Sequence, residues 1–269
     1  MTSPLDDAWP GAPAYVAFRL DSGLLQRVVE YGDLDEVREW ASVSKMVVAM
    51  AFGVESEWDL HEYGETVGPR GASIANLLSH SSGLGLEEGD PVVGVGTKRV
   101  YSNYGVDHAV QAIIEEGTPA SWLDQRVFRG LGMRTTSLKG RPSSGVSGST
   151  NDLLTLAEAW LRPDGIAKTT RDRIIKPYMP ALEGIVPGFG RFSPCPWGLG
   201  PEVRGDKEHW MGDWPPASFG HFGQSGALML LNADEGIGVV ATSSEPFGPW
   251  AVRLWPEWTT AMRVRALAS

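Results

Sequence analysis

The 269-residue sequence predicts an α+β fold, an antiparallel sheet built from both chain ends around a mostly helical middle. Three observations point there. Two neighbouring strand-like runs open the chain, "PAYVAFRL" and "LLQRVVEYG". A second pair lies near its end, within "GALMLLNADEGIGVVATS". Between them, apolar residues recur at helical spacing, and no repeat or low-complexity linker divides the chain. A single domain is expected, with residues of about 1–40 and 190–269 in the sheet part and about 41–189 in the helical part.

The first two runs flank "DSG", a tight turn that makes them a hairpin. A helix follows at Ser42, with Met46, Val47, Met50 and Ala51 on one face. "SIANLLSHSSGLG" reads as a short helix stopping in a Ser/Gly loop, and "EEGDPVVGVGTKRVYSNYG" as irregular chain. "GVDHAVQAIIEEG" and "PASWLDQRVFRGLGM" are two further helices. The second opens on a proline, whose missing N–H is no loss in a first turn. After the loop "SLKGRPSSGVSGST", "NDLLTLAEAWL" is a helix with Asn151 or Thr150 as its N-cap. The stretch from Gly184 to Phe219 is rich in Gly, Pro and Trp and reads as loop and short strand. "PWAVRLWPEWTTAMRVRALA" closes the chain as an amphipathic helix, with Pro256 as a kink or a break.

An apolar fraction of 42% is ample for a core, and a net charge of -10 with no basic block argues against nucleic-acid or anionic-membrane partners. The longest apolar run, "MVVAMAFGV", is too short to span a bilayer. The N-terminus has neither a basic leader segment nor an apolar one after it. The single cysteine, Cys195, forbids an internal disulfide. Both features lead to the expectation of a cytoplasmic protein. Cys195 lies between two prolines with no charged neighbour, so it reads as a packed or loop cysteine, not a catalytic thiol. "HEYGE" at His61 is not a zinc-binding H-E-x-x-H, and "GVGTK" at Gly94 lacks the length of a phosphate loop, so no metal or cofactor is expected.

Three short stretches carry chemistry. In "SVSK", Ser42 and Lys45 are one helical turn apart on a shared face. An amine held there, desolvated and at the positive end of a helix, loses affinity for its proton. It can then take the proton of a serine hydroxyl attacking an acyl carbon, while the Ser42 N–H donates to the oxyanion. The plain alternative is an N-cap serine beside a snorkelling lysine. In "YSNYG", Tyr101 and Asn103 face the same way if the chain is extended, so a phenol and a carboxamide share one cleft. In "GHFGQSGALMLL", His221 and several glycines lead into a strand, and glycine there lets a backbone come close. Two relaxed nucleophile elbows compete, "GQSGA" at Ser225 and "GASIA" at Ser73. No histidine follows the first and no apolar strand precedes the second.

The order S-x-x-K, then Y-x-N, then H-x-G opening a late strand resembles the penicillin-recognising serine hydrolases. Within them it is similar to the branch of class C beta-lactamases, DD-peptidases and esterases. "NLLSHSSGLG", "GLGMRTTSL", "STNDLLTLAEAW", "PWGLG" and "GIGVVATS" are similar to further landmarks of that branch, so the likeness runs along nearly the whole chain. The resemblance implies a beta-lactamase/transpeptidase-like fold and a two-step acyl transfer with Ser42 as nucleophile. It gives Lys45 and Tyr101 the general-base and proton-shuttle work, and sets Asn103 against the substrate amide and Lys45. His221 would line the third side and Gly223 would let the strand approach the acyl group. The oxyanion hole would be the N–H groups of Ser42 and Gln224. His80 becomes a structural loop residue, hydrogen-bonded inside the fold, and Glu87 and Glu88 face solvent.

The third motif departs from the family's Lys-Thr-Gly: it is His221-Phe222-Gly223. Phenylalanine cannot donate the hydrogen bond by which a small hydroxyl residue helps hold a substrate carboxylate. The chain is also shorter than typical members. Esterase or amidase activity on a small-molecule or short-peptide acyl substrate is therefore preferred to true beta-lactamase activity. The alternative is a homologue that binds such a ligand without turnover.

Overall fold

The computed structural model describes residues 8–54, 64 and 66–268, so most of "HEYGE" lies outside the described residues. The opening hairpin pairs β1 (Ala14–Asp21) with β2 (Leu24–Tyr31). Its turn holds Ser22 at φ 51° and Gly23 at φ 80°, the positive-φ pair that matches the strands' right-handed twist. β1 then pairs along its other edge with β11 (Ile237–Thr242), setting Ala14 opposite Thr242 and Arg19 opposite Ile237. With β10 (Leu228–Asn232), β9 (Phe219–Phe222) and β8 (Glu202–Val203), the antiparallel order is β2-β1-β11-β10-β9-β8. Both chain ends thus meet in the sheet's centre. β10 and β11 are buried at every position, and so carry almost continuous apolar sequence instead of alternation.

Each sheet face is covered by helix. On one lies α7 (Pro249–Leu267), over a cluster with Trp9, Tyr15, Trp210, Trp255 and Trp258. It continues through Pro256 as one helix. The hydroxyl of Thr260 donates to the Pro256 carbonyl at 2.7 Å, and that of Thr259 to the Trp255 carbonyl at 2.8 Å. On the other face lie α1 (Ser44–Val54) and α5 (Thr150–Leu161), in the larger core. α1 is buried on all sides down to Gly53, which is why its sequence is apolar all round.

The helical middle holds α2 (Ile74–Leu78), α3 (Asn103–Ile113), α4 (Pro119–Leu123) and α6 (Lys168–Ile175). Several boundaries differ from the sequence reading. α5 is capped by Ser149, whose hydroxyl accepts the Asp152 N–H at 3.1 Å, not by Thr150 or Asn151. "PASWLDQRVFRGLGM" is three consecutive pieces: α4, a wider π turn over Asp124–Phe128, and Arg129–Leu131, ended by Gly132 at φ 71°. α6 was not anticipated, because "KTTRDRII" is polar and buries only Arg171 and Ile174. Ser73, in the rejected elbow "GASIA", is the N-cap of α2. Among the described residues no helix is long and apolar enough to cross a membrane.

Candidate active site

The nucleophile candidate stands on a pinned turn. Ser42 is not in the first turn of α1 but in a 3-10 turn, Ala41–Val43, just before it. Trp40 donates its backbone N–H to Val146 at 2.9 Å and its indole N–H to Gly148 at 3.0 Å. Both acceptors belong to β5 (Val146–Gly148), the middle strand between β3 (Arg38–Glu39) and β4 (Ser137–Leu138). Ser44 bridges the same parts, donating to the Ala41 carbonyl at 2.5 Å and accepting from the Val146 N–H at 3.0 Å. These bonds hold Ala41 at φ 45°, a conformation that costs a residue with a Cβ about 1–3 kcal/mol.

Gly223 makes a close approach, and what it approaches is the protein's own backbone. A Cβ there would sit 2.3 Å from the Trp40 carbonyl oxygen and 3.1 Å from the Ala41 side chain. The end of β9 therefore lies directly against the turn that carries Ser42, and Gln224 follows it at the surface.

Lys45 is 1% exposed. Its Nζ lies 2.7 Å from Asn103 Oδ1, 2.9 Å from the Ser143 carbonyl oxygen and 3.2 Å from Ser42 Oγ. Burial pushes the amine down to about 7; Asp107 and Glu87 oppose that fall and Arg141 adds to it. A neutral amine has two N–H bonds and one lone pair. Asn103 Oδ1 and the Ser143 carbonyl can only accept, so they take the two N–H bonds. The lone pair is left facing the Ser42 hydroxyl.

Tyr101 lies against this amine, with its ring centroid 4.8 Å from Lys45 Nζ. Burial raises its phenol well above the ordinary value, against an opposing pull from the Ser42 hydroxyl. His221 supports the protonated form. Its Nδ1 donates to the Phe222 carbonyl at 2.7 Å, which leaves Nε2 as the acceptor 3.4 Å from the Tyr101 hydroxyl. Burial, with help from Lys45, pushes His221 down to about 3, so the ring is uncharged at neutral pH. Phe222 turns the other way, into the second core among Trp210, Phe247 and Trp255.

Asn103 opens α3 behind the N-cap Ser102. Its Nδ2 donates to Glu87 Oε1 at 2.9 Å. Here the structure corrects the sequence reading: Glu87 is half-buried and joins the site, while Glu88 is exposed. Glu87 also pairs with Arg141, which reaches Asp107 Oδ2 through its Nε at 2.5 Å. His80 lies in the structural loop as expected. Its Nδ1 accepts the Ser102 N–H at 3.1 Å, so its proton sits on Nε2, and burial lowers its pKa well below the usual value. Cys195 is buried, and burial raises its thiol, as befits a packed cysteine.

The structure thus gathers Ser42, Lys45, Tyr101, Asn103 and His221 at one point, with Gly223 and Gln224 beside the Ser42 turn. Sequence reasoning missed Ser44, Glu87, Asp107, Arg141 and Ser143. Glu87, Arg141 and Ser143 sit in loops and Asp107 on α3, with no spacing that ties them to the motifs, and Ser44 lies inside S-x-x-K at a position the motif leaves open.

The family described as Beta-lactamase matches residues 30–258. A beta-lactamase (Mb2281c) from Mycobacterium bovis is similar at 32% identity, with a TM-score of 0.88 and 97% of each chain covered. A beta-lactamase/D-alanine carboxypeptidase from Yersinia pestis shares the fold at 16% identity, TM-score 0.73, over 98% of this chain and 95% of that one. So does a mutant simvastatin synthase (LovD) from Aspergillus terreus at 15% identity, TM-score 0.75, over 97% and 92%. No curated protein matches. The fold is beta-lactamase/transpeptidase-like, and the chain belongs to the beta-lactamase family of serine hydrolases.

Proposed function

We propose that the protein hydrolyses an uncharged ester or amide through an acyl intermediate on Ser42, with esters preferred. The observation that carries this reading is the three-way contact of Lys45, whose two obligate acceptors aim its lone pair at the Ser42 hydroxyl. Lys45 takes the Ser42 proton as Oγ attacks the acyl carbon. The N–H groups of Ser42 and Gln224 receive the oxyanion, which the contact of Gly223 with Trp40 supports. Tyr101, kept protonated beside a neutral His221, gives its proton to the leaving oxygen or nitrogen and recovers one from Lys45. Water then repeats the cycle in reverse to release the acid. Asn103 holds Lys45 and the substrate's acyl amide where one is present.

The preference for uncharged donors follows from what surrounds the nucleophile. Beta-lactams and D-alanyl peptides carry a carboxylate. His221 is neutral, Phe222 points into the core, and Arg141 is already paired with two carboxylates. None of them offers a free charge or hydroxyl to an anionic substrate. Intact mass after incubation with a p-nitrophenyl ester and, separately, with a penicillin tests this. The ester should give a Ser42-dependent adduct or Ser42-dependent turnover that Ser42→Ala abolishes, and outrun the penicillin. Ligand binding that survives Ser42→Ala, with no adduct or turnover in wild type, would identify a binding homologue instead.

A further inference from the structure

The polar contacts behind Lys45 close into a ring. Lys45 donates to Asn103 Oδ1, and Asn103 Nδ2 donates to Glu87. Glu87 pairs with Arg141, and Arg141 with Asp107. Asp107 Oδ1 accepts the Ser143 N–H at 2.8 Å, and the Ser143 carbonyl accepts from Lys45. The segment carrying Glu87 is itself anchored. The Asn103 and Tyr104 N–H groups both donate to the Leu86 carbonyl, at 3.0 and 3.1 Å, and the Glu87 N–H donates to Asp90 Oδ2 at 2.9 Å.

We propose that Glu87 and Arg141, braced by Asp107, are positioning residues that fix the Asn103 carboxamide and set the charge on the Lys45 amine. A carboxamide presents a donor on one side and an acceptor on the other, and either can face Lys45 until something decides. A carboxylate only accepts, so Glu87 requires Nδ2 and leaves Oδ1 for Lys45. Arg141 holds the Glu87 carboxylate ionised: its hydrogen bond and charge, with the Asn103 amide, outweigh burial and keep Glu87 below its ordinary value. Asp107 ties Arg141 to the backbone that supplies the second acceptor, Ser143.

The ring also has a sign. Glu87 and Asp107 favour the charged amine and Arg141 disfavours it. The other groups facing the amine are the Tyr101 phenol, held protonated, and His80 and His221, whose pKa values burial lowers. The charges of the ring therefore act in opposite directions on one proton. Packing alone would not do this.

The inference rests on Lys45 being the base, and its test reads the lysine itself instead of turnover. The full-length protein, labelled with 13C at lysine Cε, is titrated by NMR as wild type, Glu87→Gln and Arg141→Gln. Glu87→Gln should lower the Lys45 midpoint and Arg141→Gln should raise it, each by about half a pH unit given partial solvent screening. Arg141→Lys, which keeps the charge, should restore the midpoint towards wild type. Midpoints that stay together, or move in the same direction, overturn the proposal. If Arg141→Gln does not fold, Glu87→Gln decides alone, and a midpoint that does not fall is the overturning result. A wild-type midpoint near that of an exposed lysine would count against Lys45 as the base, while opposite shifts around it would still establish the ring.

Discussion

Among the described residues two lysines are almost wholly buried, Lys45 and Lys207, and their surroundings give them opposite roles. Lys207 Nζ lies 2.7 Å from Glu202 Oε1 and 3.1 Å from the Pro196 carbonyl oxygen. Glu202 also accepts from His209 at 2.9 Å and from the Trp210 indole at 2.8 Å. Burial would raise the Glu202 carboxyl, but Lys207 and His209 hold it well below the usual range. That cluster is a closed ion pair with every partner satisfied. Lys45 touches no carboxylate: two neutral oxygens and a serine hydroxyl surround it. The carboxylates near it stand one residue further out, Glu87 behind Asn103 and Asp107 behind Ser143. A buried amine in direct contact with a carboxylate is a fixed cation. One that meets only neutral acceptors gives up its proton easily and becomes a base.

This contrast can be broken from either end. The largest effect is expected at Lys45→Met, which should lower ester turnover about a thousandfold, the middle of the range for one general base, while the fold survives. Steady-state kinetics beside a thermal melt would show both. Lys207→Met should do the reverse. It leaves Glu202 buried without its cation, at a cost of about 3–5 kcal/mol in a denaturant titration, yet the folded enzyme should keep the pH profile of wild type. The smallest effect belongs to the double variant Lys207→Met with Glu202→Gln. Removing both charges should recover most of that stability, measured the same way.

The sheet was legible in the sequence because its central strands are continuous apolar runs between turn signals. "DSG" and "NADEGIG" place the two hairpins where the structure has them. The core helix was legible too, since Met46, Val47 and Met50 sit on one face. The polar helix α6 was not, because periodicity reports buried apolar faces and α6 has almost none. The site divides in the same way. Ser42, Lys45, Tyr101, Asn103 and His221 were visible because the order of their three motifs resembles the penicillin-recognising serine hydrolases; no single spacing singled them out. Glu87 looked like a solvent-facing charge, and Arg141 lay in a stretch that read only as loop. Only the docking of three segments distant in sequence brings them together, and nothing local records that contact.

The central claim is that Lys45 is neutral near neutral pH and takes the proton of Ser42. It is tested most directly by the rate of Ser42 acylation from pH 5 to 9, followed by rapid quench and intact mass with a p-nitrophenyl ester. The charged amine cannot accept a proton, so the rate should fall about tenfold per pH unit below a midpoint near about 7 and level off above it. A rate that is flat across that range, or that is still climbing steeply at pH 9 as an unperturbed lysine would require, would contradict the claim.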